Sequence, residues 1–540
     1  MPEADPGAML ATRGRAYDQS CDPETDMHAI GLTFATVAIL LAETAGARDA
    51  LPALRVDGRR FVDAHGRHII LHGINMGFSG HPREGTYSWN HRPEDFARIA
   101  GLGFNCVRMP IFWSALEPAP GEYDVGFLEA LDDKLDLALD AGLYVILDMH
   151  QDLWGQGVPG ARGAPTWALL GKDLPHVSEG PVWSAAYFQS PRVQQAFDDF
   201  WANAPGPGGV GIQDRFAMAW KHVAARDAEH PAVIGYDLLN EPFPGSGIGE
   251  AMQAVTERML PRLQAAGVDL GDVPENQLGF AAFDAARSSI GAYREYLAAG
   301  DEITARLDRT LLGPMYARVS AAIREVDTRR LLFTSPGFPA NLGFRSDLPR
   351  LVAGGGGAES GHVLAPHAYD ADLDRIRLIV GKLLDQSDAM DVPLLLGEWG
   401  NLSNSDSIYD GDPVPSAHAI NRLLETRLAS DTYWYLEGVI EEAAYFPAVQ
   451  RPYPMAVAGT LQRYAFDPVT GEFECVWREH ASVVAPTRMY VPRVHYPGGY
   501  DIHVDPAGAE IETRRLDRGD IVELLPDATA VERRVHITRR

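Results

Sequence analysis

The stretch that decides the fold reads Val233-Ile234-Gly235-Tyr236-Asp237-Leu238-Leu239-Asn240-Glu241-Pro242. Its apolar run has the length and composition of a buried parallel strand, and it ends abruptly in Asn-Glu-Pro. In an α/β barrel the carboxyl ends of the strands form the active-site face. The pattern therefore predicts that the carboxylate of Glu241 lies at the mouth of such a barrel.

A second run has the same organisation, with an apolar strand followed by a glutamate and an aromatic residue: Val392-Pro393-Leu394-Leu395-Leu396-Gly397-Glu398-Trp399-Gly400. Glycoside hydrolysis requires one carboxylic acid to protonate the leaving oxygen and one carboxylate to meet the developing oxocarbenium carbon. A single strand-end glutamate is also compatible with a simple loop cap. Two at equivalent positions favour a catalytic pair, Glu241 and Glu398.

Composition narrows the class of protein. The chain of 540 residues exceeds the usual size of one domain, so we expect a large domain and a smaller one. A formal net charge of −27 disfavours nucleic acid and provides no basic surface for anionic headgroups, so a neutral or zwitterionic substrate fits better. Its three cysteines are far apart and lack CxxC spacing, which argues against a zinc site or a disulfide framework.

Apolar strands alternate with helix-length segments over most of the chain, which predicts an α/β protein with a (β/α)8 TIM barrel. The predicted strands are residues 68–75, 105–110, 143–150, 232–240, 330–335, 362–367, 393–398 and 432–435. Short alternating runs near the C-terminus indicate an antiparallel β-sandwich. We therefore expect a leader over residues 1–50, a catalytic barrel over 51–464 with a helical insertion at about 246–308, and a sandwich over 465–540.

The leader contains an apolar run at residues 30–42 that is too short to span a bilayer comfortably. Its length suits the apolar region of a secretory signal, and the small residues Thr44-Ala45-Gly46-Ala47 follow it. The sequence thus predicts a secreted or extracellular protein. A buried amphipathic helix or a leaderless cytoplasmic enzyme is the alternative.

Two long segments interrupt the barrel pattern. Residues 151–191 are rich in Gly and Pro and carry Trp154, Trp167 and Trp183, which we expect to wall a cleft. Residues 246–308 have helical spacing and resemble a lid. Apolar side chains there, such as Met252, Met259, Leu260 and Phe280, are candidates for an apolar groove leading away from Glu241.

Other polar and aromatic residues at strand ends can each be given a role. Arg108 is expected to keep a carboxylate nucleophile ionised, since a nearby guanidinium favours the charged form of an acid. Asn240 is placed to bind a sugar 2-hydroxyl. His367 and Tyr369 are expected to orient the nucleophile together, and Trp434 offers an apolar face to a pyranose ring.

His150 and Asp152 follow another strand and need separate consideration, because His and Asp at barrel-strand ends also make metal sites. A metal hydrolase usually adds a His-x-His pair on an early strand, whereas His72 has no such partner nearby. We therefore expect His150 and Asp152 to bind sugar hydroxyls, with no metal and no cofactor.

Several motifs together resemble the retaining glycosidases of glycoside hydrolase family 5: His72-Gly-Ile-Asn75, Gly103-Phe-Asn-Cys-Val-Arg108, Asp148-Met-His150-Gln-Asp152, Asn240-Glu241-Pro242, His367-Ala-Tyr369 and Gly397-Glu398-Trp399-Gly400. Within the family, the segments Phe197-Asp-Asp-Phe-Trp201 and Arg451-Pro-Tyr-Pro454 with the C-terminal sandwich are similar to endoglycoceramidases. The resemblance implies that Glu241 is the acid/base and Glu398 the nucleophile. It also implies hydrolysis of the β-glycosidic bond between a glycan and ceramide, with transient contact with a membrane or micelle surface.

Three other functions remain open at this point. The same barrel could act as a β-glucanase, a mannanase or a β-glucosidase of steryl and other lipids. A catalytically silent glycan-binding protein would keep the cleft, although either glutamate could then have been lost without harming binding. A metal-dependent hydrolase is the last alternative. For a retaining mechanism we expect the two carboxyl groups to lie about 5 to 5.5 Å apart.

Overall fold

A computed structural model describes residues 51–77, 91–179, 182–269, 271, 273–274, 277–400, 413–436, 438–443, 445–527 and 531–540. The predicted leader lies outside the described residues, as does most of the connection after the first barrel strand. Among the helices that are described, none has both the length and the apolar composition needed to cross a membrane.

Parallel strands form a barrel, as the sequence predicted. They are His72–Asn75, Cys106–Ile111, Tyr144–Met149, Val233–Asp237, Leu331–Thr334, His362–Leu364, His367–Ala368, Leu395–Trp399 and Ser430–Tyr433. Each pairs with the next, except His362–Leu364 and His367–Ala368, and Ser430–Tyr433 pairs with His72–Asn75. The predicted strand at 362–367 is split at Pro366, which lacks a backbone N–H. Its first part pairs with Leu331–Thr334 and its second with Leu395–Trp399, so the (β/α)8 barrel is complete.

Helices surround this sheet because their apolar side chains recur at three- and four-residue spacing. Val125–Asp140 is an example: the side chain of Asp124 accepts a hydrogen bond from the Phe127 N–H at its start, and its buried face includes Leu128, Leu131, Leu135 and Ala138. The barrel helices are Pro93–Gly101, Trp113–Leu116, Val125–Asp140, Ala186–Gln189, Pro191–Trp201, Ile212–Asp227, Gly313–Arg324, Leu373–Met390, Pro413–Arg427 and Phe446–Val449.

The segment expected to form a helical insertion contains the helices Ile248–Ala265, Leu278–Ala286 and Ile290–Leu307, followed by a π-helical turn, Asp308–Leu312. These helices have an apolar core of their own, separate from the barrel core. It includes Val255, Met259, Tyr293, Tyr296, Leu297 and Phe344. The insertion is therefore a packed subdomain with a rigid interior.

Two antiparallel sheets share one apolar core and form the C-terminal sandwich. The smaller sheet consists of Gly459–Phe466, Phe473–Glu479, Tyr500–Asp505 and Glu532–Arg539. The larger sheet consists of Leu54–Asp57, Arg60–Asp63, His68–Ile69, Tyr453–Val457, Thr487–Pro492, Ile511–Arg515 and Gly519–Leu524.

The boundaries of the sandwich differ from the sequence prediction in two places. The sandwich strands begin at Tyr453, ahead of the boundary predicted at residue 465. The hairpin before the first barrel strand also belongs to the larger sheet, because His68–Ile69 pairs with Tyr453–Val457. Pairing between strands so far apart in sequence leaves no local pattern. The alternation of apolar and polar residues therefore did not show that the hairpin joins the larger sheet.

Candidate active site

Glu241 and Glu398 lie side by side at the mouth of the barrel. One oxygen from each carboxylate and one nitrogen of His367 all lie within 4.8 Å of one another. Both glutamates are largely buried. A retaining glycosidase needs two carboxyl groups close together, because one of them itself attacks the sugar.

The backbone of Glu241 adopts a φ of +42°, in the left-handed region that side chains other than glycine seldom occupy. Such strain persists only where the surroundings hold it in place. Here Gln151 donates hydrogen bonds from Nε2 to the carbonyl oxygens of Asn240 and Glu241, both at 3.0 Å. The strained turn and its polar anchor are typical of a functional position.

Arg108 is the central cation of the site and is fully buried. Its planar guanidinium donates in several directions at once, a geometry that lysine cannot reproduce. Its five partners are Glu398 at 2.7 Å, Asp237 at 2.9 Å, Asp148 at 2.9 Å, Asn240 at 3.0 Å and Asn75 at 3.1 Å. Sequence reasoning missed Asp237, although a charged residue within an apolar strand indicates a buried ionic partner.

Burial raises the pKa of the Glu398 carboxyl above its usual value, and the neighbouring His367 and Arg108 oppose that rise. The hydrogen bond between Arg108 and Glu398 shows that the predicted contact is present. Its effect is to limit the upward shift, because burial outweighs the attraction of the guanidinium.

Tyr369 and His367 differ in which of the two carboxylates is nearest to them. The hydroxyl of Tyr369 donates to Oε2 of Glu398 at 2.8 Å. His367 Nδ1 lies 2.9 Å from Oε1 of Glu241 and 3.5 Å from Oε2 of Glu398. His367 is thus within ion-pair distance of both carboxylates, and its predicted part in orienting Glu398 stays a prediction. Its nearest partner is Glu241, whose carboxylate reaches it across the barrel mouth.

Asn341 is a second partner of Glu241 that sequence reasoning missed. Its Nδ2 donates to Oε1 of Glu241 at 2.9 Å. Burial raises the pKa of Glu241 to about 7, against the opposing effects of Arg108 and the Asn341 hydrogen bond. A carboxyl group with this pKa can act as an acid and as a base near neutral pH. Asn341 lies in the short 3-10 turn Phe338–Leu342, where no sequence pattern marks it.

His150 and Trp434 are two of the residues predicted to bind sugar. Their rings stack with centroids 5.5 Å apart, and Nδ1 of His150 contacts Asp148 at 2.7 Å. Trp434 is half-buried, which leaves part of the ring available to a sugar. Asp152 lies 3.8 Å from Nε2 of His150. The roles predicted for these residues in sugar binding stay predictions.

Asn240 is buried between Arg108, which donates to its Oδ1 at 3.0 Å, and the carbonyl of Gln151, which accepts from its Nδ2 at 3.1 Å. These two contacts determine its orientation at the end of the strand. Binding of a sugar 2-hydroxyl by Asn240 also stays a prediction.

The apolar residues that were predicted to line the cleft differ in their exposure to solvent. Trp154 and Met259 are buried in apolar cores, which corrects the expectation that they line a groove. Trp167 donates from Nε1 to the carbonyl of Glu117. Trp183, by contrast, is 53% exposed. Its ring lies near Tyr187, with centroids 6.3 Å apart.

Next to Glu241, aromatic rings gather into a wall. It consists of Tyr187, Phe188, Phe243 and Phe338, with neighbouring centroids 4.9 to 6.3 Å apart. Tyr187 and Phe243 are fully buried in the barrel core, and Phe188 and Phe338 are only partly buried. We call these four residues, together with Trp183, the aromatic wall.

Distance alone would let Glu241, His367 and Glu398 hold a cation. The buried Arg108 guanidinium already contacts Glu398 and would repel a second positive charge. The charge balance of the cluster therefore favours acid–base and nucleophilic chemistry.

Two close carboxylates of different environment, at the mouth of a (β/α)8 barrel, define a glycoside hydrolase. Comparison with known proteins agrees. Residues 62–273 match the cellulase domain of glycosyl hydrolase family 5, and residues 451–538 match the glycoside hydrolase family 5 C-terminal domain. The chain belongs to glycoside hydrolase family 5 and is a retaining enzyme.

Its relatives include endoglycoceramidase I of Rhodococcus hoagii, which is 26% identical over 84% of this chain and 83% of that protein. Endo-glycoceramidase II from a Rhodococcus species has a similar structure. Its lactosyl-enzyme intermediate superposes with a TM-score of 0.66 at 26% identity, and its ganglioside GM3 complex with 0.67 at 25%. Each comparison covers 89% of this chain and 99% of that protein.

Proposed function

We propose that this enzyme is an endoglycoceramidase, which hydrolyses the β-glycosidic bond between the glycan and the ceramide of a glycosphingolipid. The observation that carries the proposal is the aromatic wall beside Glu241. The relatives named endoglycoceramidase, and the complex of one of them with a ganglioside, support it.

The reaction follows from the geometry of the two glutamates. Glu398 attacks the anomeric carbon while Glu241 donates its proton to the ceramide oxygen, so that the glycosidic bond breaks and ceramide leaves as an alcohol. Glu241, now ionised, takes a proton from water as the water oxygen attacks the glycosyl ester. This step releases the glycan and frees Glu398. Because each of the two displacements inverts the anomeric carbon, the β-configuration is retained overall.

The assignment of roles rests on the environment of each carboxyl group. Glu398 has the guanidinium of Arg108 and the hydroxyl of Tyr369 as donors, which favour its ionised form. Glu241 has a pKa of about 7 and can hold its proton at neutral pH. The group that protonates the leaving oxygen faces the aglycone, so the aglycone lies on the side of Glu241.

Near Glu241, the aromatic wall has half-buried and exposed members. Phe338 donates its backbone N–H to the carbonyl of Pro242, directly after Glu241, and its ring belongs to the aromatic wall. Trp183 and Phe188 extend the wall toward solvent. A ceramide requires contiguous apolar surface, which exposed aromatic side chains can supply.

A substrate panel tests the proposal. The purified enzyme is incubated in detergent with glucosylceramide, galactosylceramide, a ganglioside and a cello-oligosaccharide, and products are separated by chromatography. We expect release of an intact oligosaccharide and of ceramide from at least one lipid with two or more sugars. Cleavage of cello-oligosaccharide alone would replace the proposal with the glucanase function, and cleavage of glucosylceramide alone with a simple β-glucosidase.

We further propose that the enzyme is secreted and acts at a membrane or micelle surface. The apolar run at residues 30–42 supports secretion, and the partly exposed aromatic wall supports contact with lipid. N-terminal sequencing of protein recovered from culture medium tests the first point. An initial residue before residue 30 in that protein would contradict cleavage of a signal.

A further inference from the structure

The helical insertion holds the chain segment that contacts Glu241. This segment, residues 337–345, follows a barrel strand and carries Asn341. The N–H of Gly337 donates to Oδ2 of Asp308 at 3.2 Å, at the near end of the segment. At the far end, Thr304 Oγ1 donates to the carbonyl of Arg345 at 2.9 Å, and the Arg345 N–H donates to Oδ1 of Asp301 at 2.7 Å.

Between these ends, the hydroxyl of Tyr293 donates to the carbonyl of Leu342 at 2.6 Å. Leu342 directly follows Asn341 in the chain. Tyr293, Asp301 and Thr304 all belong to the helix Ile290–Leu307, and Asp308 begins the π-helical turn after it. A single helix and its extension therefore make hydrogen bonds with the segment at both of its ends and next to Asn341.

Close packing accompanies these hydrogen bonds. A Cβ atom at Gly337 would lie 2.4 Å from Oδ1 of Asp308, so only glycine permits this approach. The ring of Phe344 packs against Tyr296 in the insertion core, with centroids 5.4 Å apart. Such contacts leave the segment little freedom to shift relative to the helix.

We propose that the helix Ile290–Leu307 positions the acid/base, and that Asn341 is the positioning residue through which it acts. The inference rests on the proposed role of Glu241. It assigns the insertion a part in the chemical step, beyond that of a lid over the substrate.

The chemical effect follows from the atom that Asn341 contacts. Asn341 and His367 both contact Oε1 of Glu241, so Oε2 is the oxygen that can carry the proton toward the leaving group. A hydrogen bond donated to a carboxylate favours the ionised form and opposes the rise in pKa that burial causes. Asn341 thus orients the carboxyl group and keeps its pKa from rising further.

Other groups also act on Glu241, and the test must keep them unchanged. The titratable and charged side chains that contact it, or with which it interacts electrostatically, are His367, Arg108, Asp148, Asp152, Tyr187, Tyr369 and Glu398. None of them belongs to segment 337–345 or to the insertion. Substitutions at Asn341 and Tyr293 therefore leave these seven side chains in place.

The first experiment uses Asn341→Leu, which keeps the approximate size of the side chain and removes the donor. Aryl β-glycosides with leaving groups of graded acidity are the substrates, so the test does not depend on lipid specificity. We expect kcat/KM to fall about ten- to a hundredfold for the poorest leaving group and little for the best, because only the former requires an acid. The basic limb of the pH profile should move upward by about one unit.

The second experiment separates positioning from general support of the fold. Tyr293→Phe removes the hydroxyl that holds Leu342. Tyr296→Phe is the matched control, since among the described hydrogen bonds none joins the Tyr296 hydroxyl to segment 337–345. Tyr293→Phe should reproduce the leaving-group dependence and the upward pH shift of Asn341→Leu in weaker form, within about tenfold in rate. Tyr296→Phe should leave both unchanged.

Either of two results would overturn the proposal. One is an Asn341→Leu enzyme whose rate loss is equal for all leaving groups with an unchanged pH profile. The other is an equal response of Tyr293→Phe and Tyr296→Phe. Failure of the ceramide assignment would be seen separately, as intact glycolipid in the substrate panel with normal cleavage of aryl glycosides.

Discussion

Arg108 and Glu398, which are 290 positions apart in the chain, are joined by a hydrogen bond of 2.7 Å in the interior of the barrel. The same guanidinium contacts Asp148 and Asp237, so replacing it with a single ammonium group takes donors away from several buried carboxylates. Arg108→Lys should lower kcat at least a hundredfold and destabilise the protein by about 3 to 5 kcal/mol. Steady-state kinetics and urea unfolding measure the two effects.

Arg226 provides a matched control, because its ion pair with Asp132 is at the surface. Arg226→Lys should change the free energy of unfolding by less than about 1 kcal/mol. Retention of a tenth or more of wild-type kcat in Arg108→Lys would contradict the central role of Arg108.

The two glutamates should respond differently to amide substitution. Glu398→Gln should abolish turnover of every substrate, because no other group can form the glycosyl-enzyme. Glu241→Gln should still be glycosylated by an activated aryl glycoside, whose leaving group needs little protonation, and mass spectrometry should detect the accumulated intermediate. Equal loss on activated and lipid substrates in both variants would reject the assignment of roles.

The pH dependence of kcat/KM should be bell-shaped. Glu398 must be ionised, and burial raises its pKa above 4.5, so activity should rise with pH above that value. Glu241 must be protonated, and its pKa is about 7, so activity should fall as pH increases through about 7. In Glu241→Gln, an activated aryl glycoside should lose the basic limb of glycosylation. Persistence of that limb would assign it to another group.

The aromatic wall should matter for lipid and little for soluble substrates. Trp183→Ala removes its most exposed member and should raise KM for a glycosphingolipid about tenfold, since a large aromatic side chain contributes on the order of 1.5 to 3 kcal/mol when it is covered. The KM for an aryl glycoside should not change. Val484→Ala, at a position 82% exposed in the sandwich region, is the control. An equal change for both substrates would place Trp183 outside the lipid site.

Local patterns predicted the barrel and its two glutamates for a clear reason. A buried parallel strand needs a continuous apolar run, and the first polar residue after the run lies at the sheet edge where substrates bind. Glu241 and Glu398 each follow such a run. Arg108, Tyr369 and Trp434 were found by the same rule, since each lies in or just after a barrel strand.

Contacts that lie off the strand ends could not be predicted in this way. Trp154 looked like a cleft residue because its loop is rich in Gly and Pro, yet it packs against Phe197 and Phe200 in the barrel core. Residue type alone does not distinguish an exposed aromatic from a buried one, because the same apolar surface serves a core and a binding site equally well.

The sequence by itself determined which residues end the barrel strands, and with them the two glutamates at the barrel mouth. Only the tertiary structure decided which groups surround each carboxylate. Asn341 is 100 positions from Glu241 and lies in a turn with no periodic pattern. The ring of His367 lies nearest to Glu241, although its strand pairs with the strand of Glu398. The physical reason is that a pKa and a proton's orientation depend on burial and on hydrogen bonds across space, and these arise only when distant segments pack together.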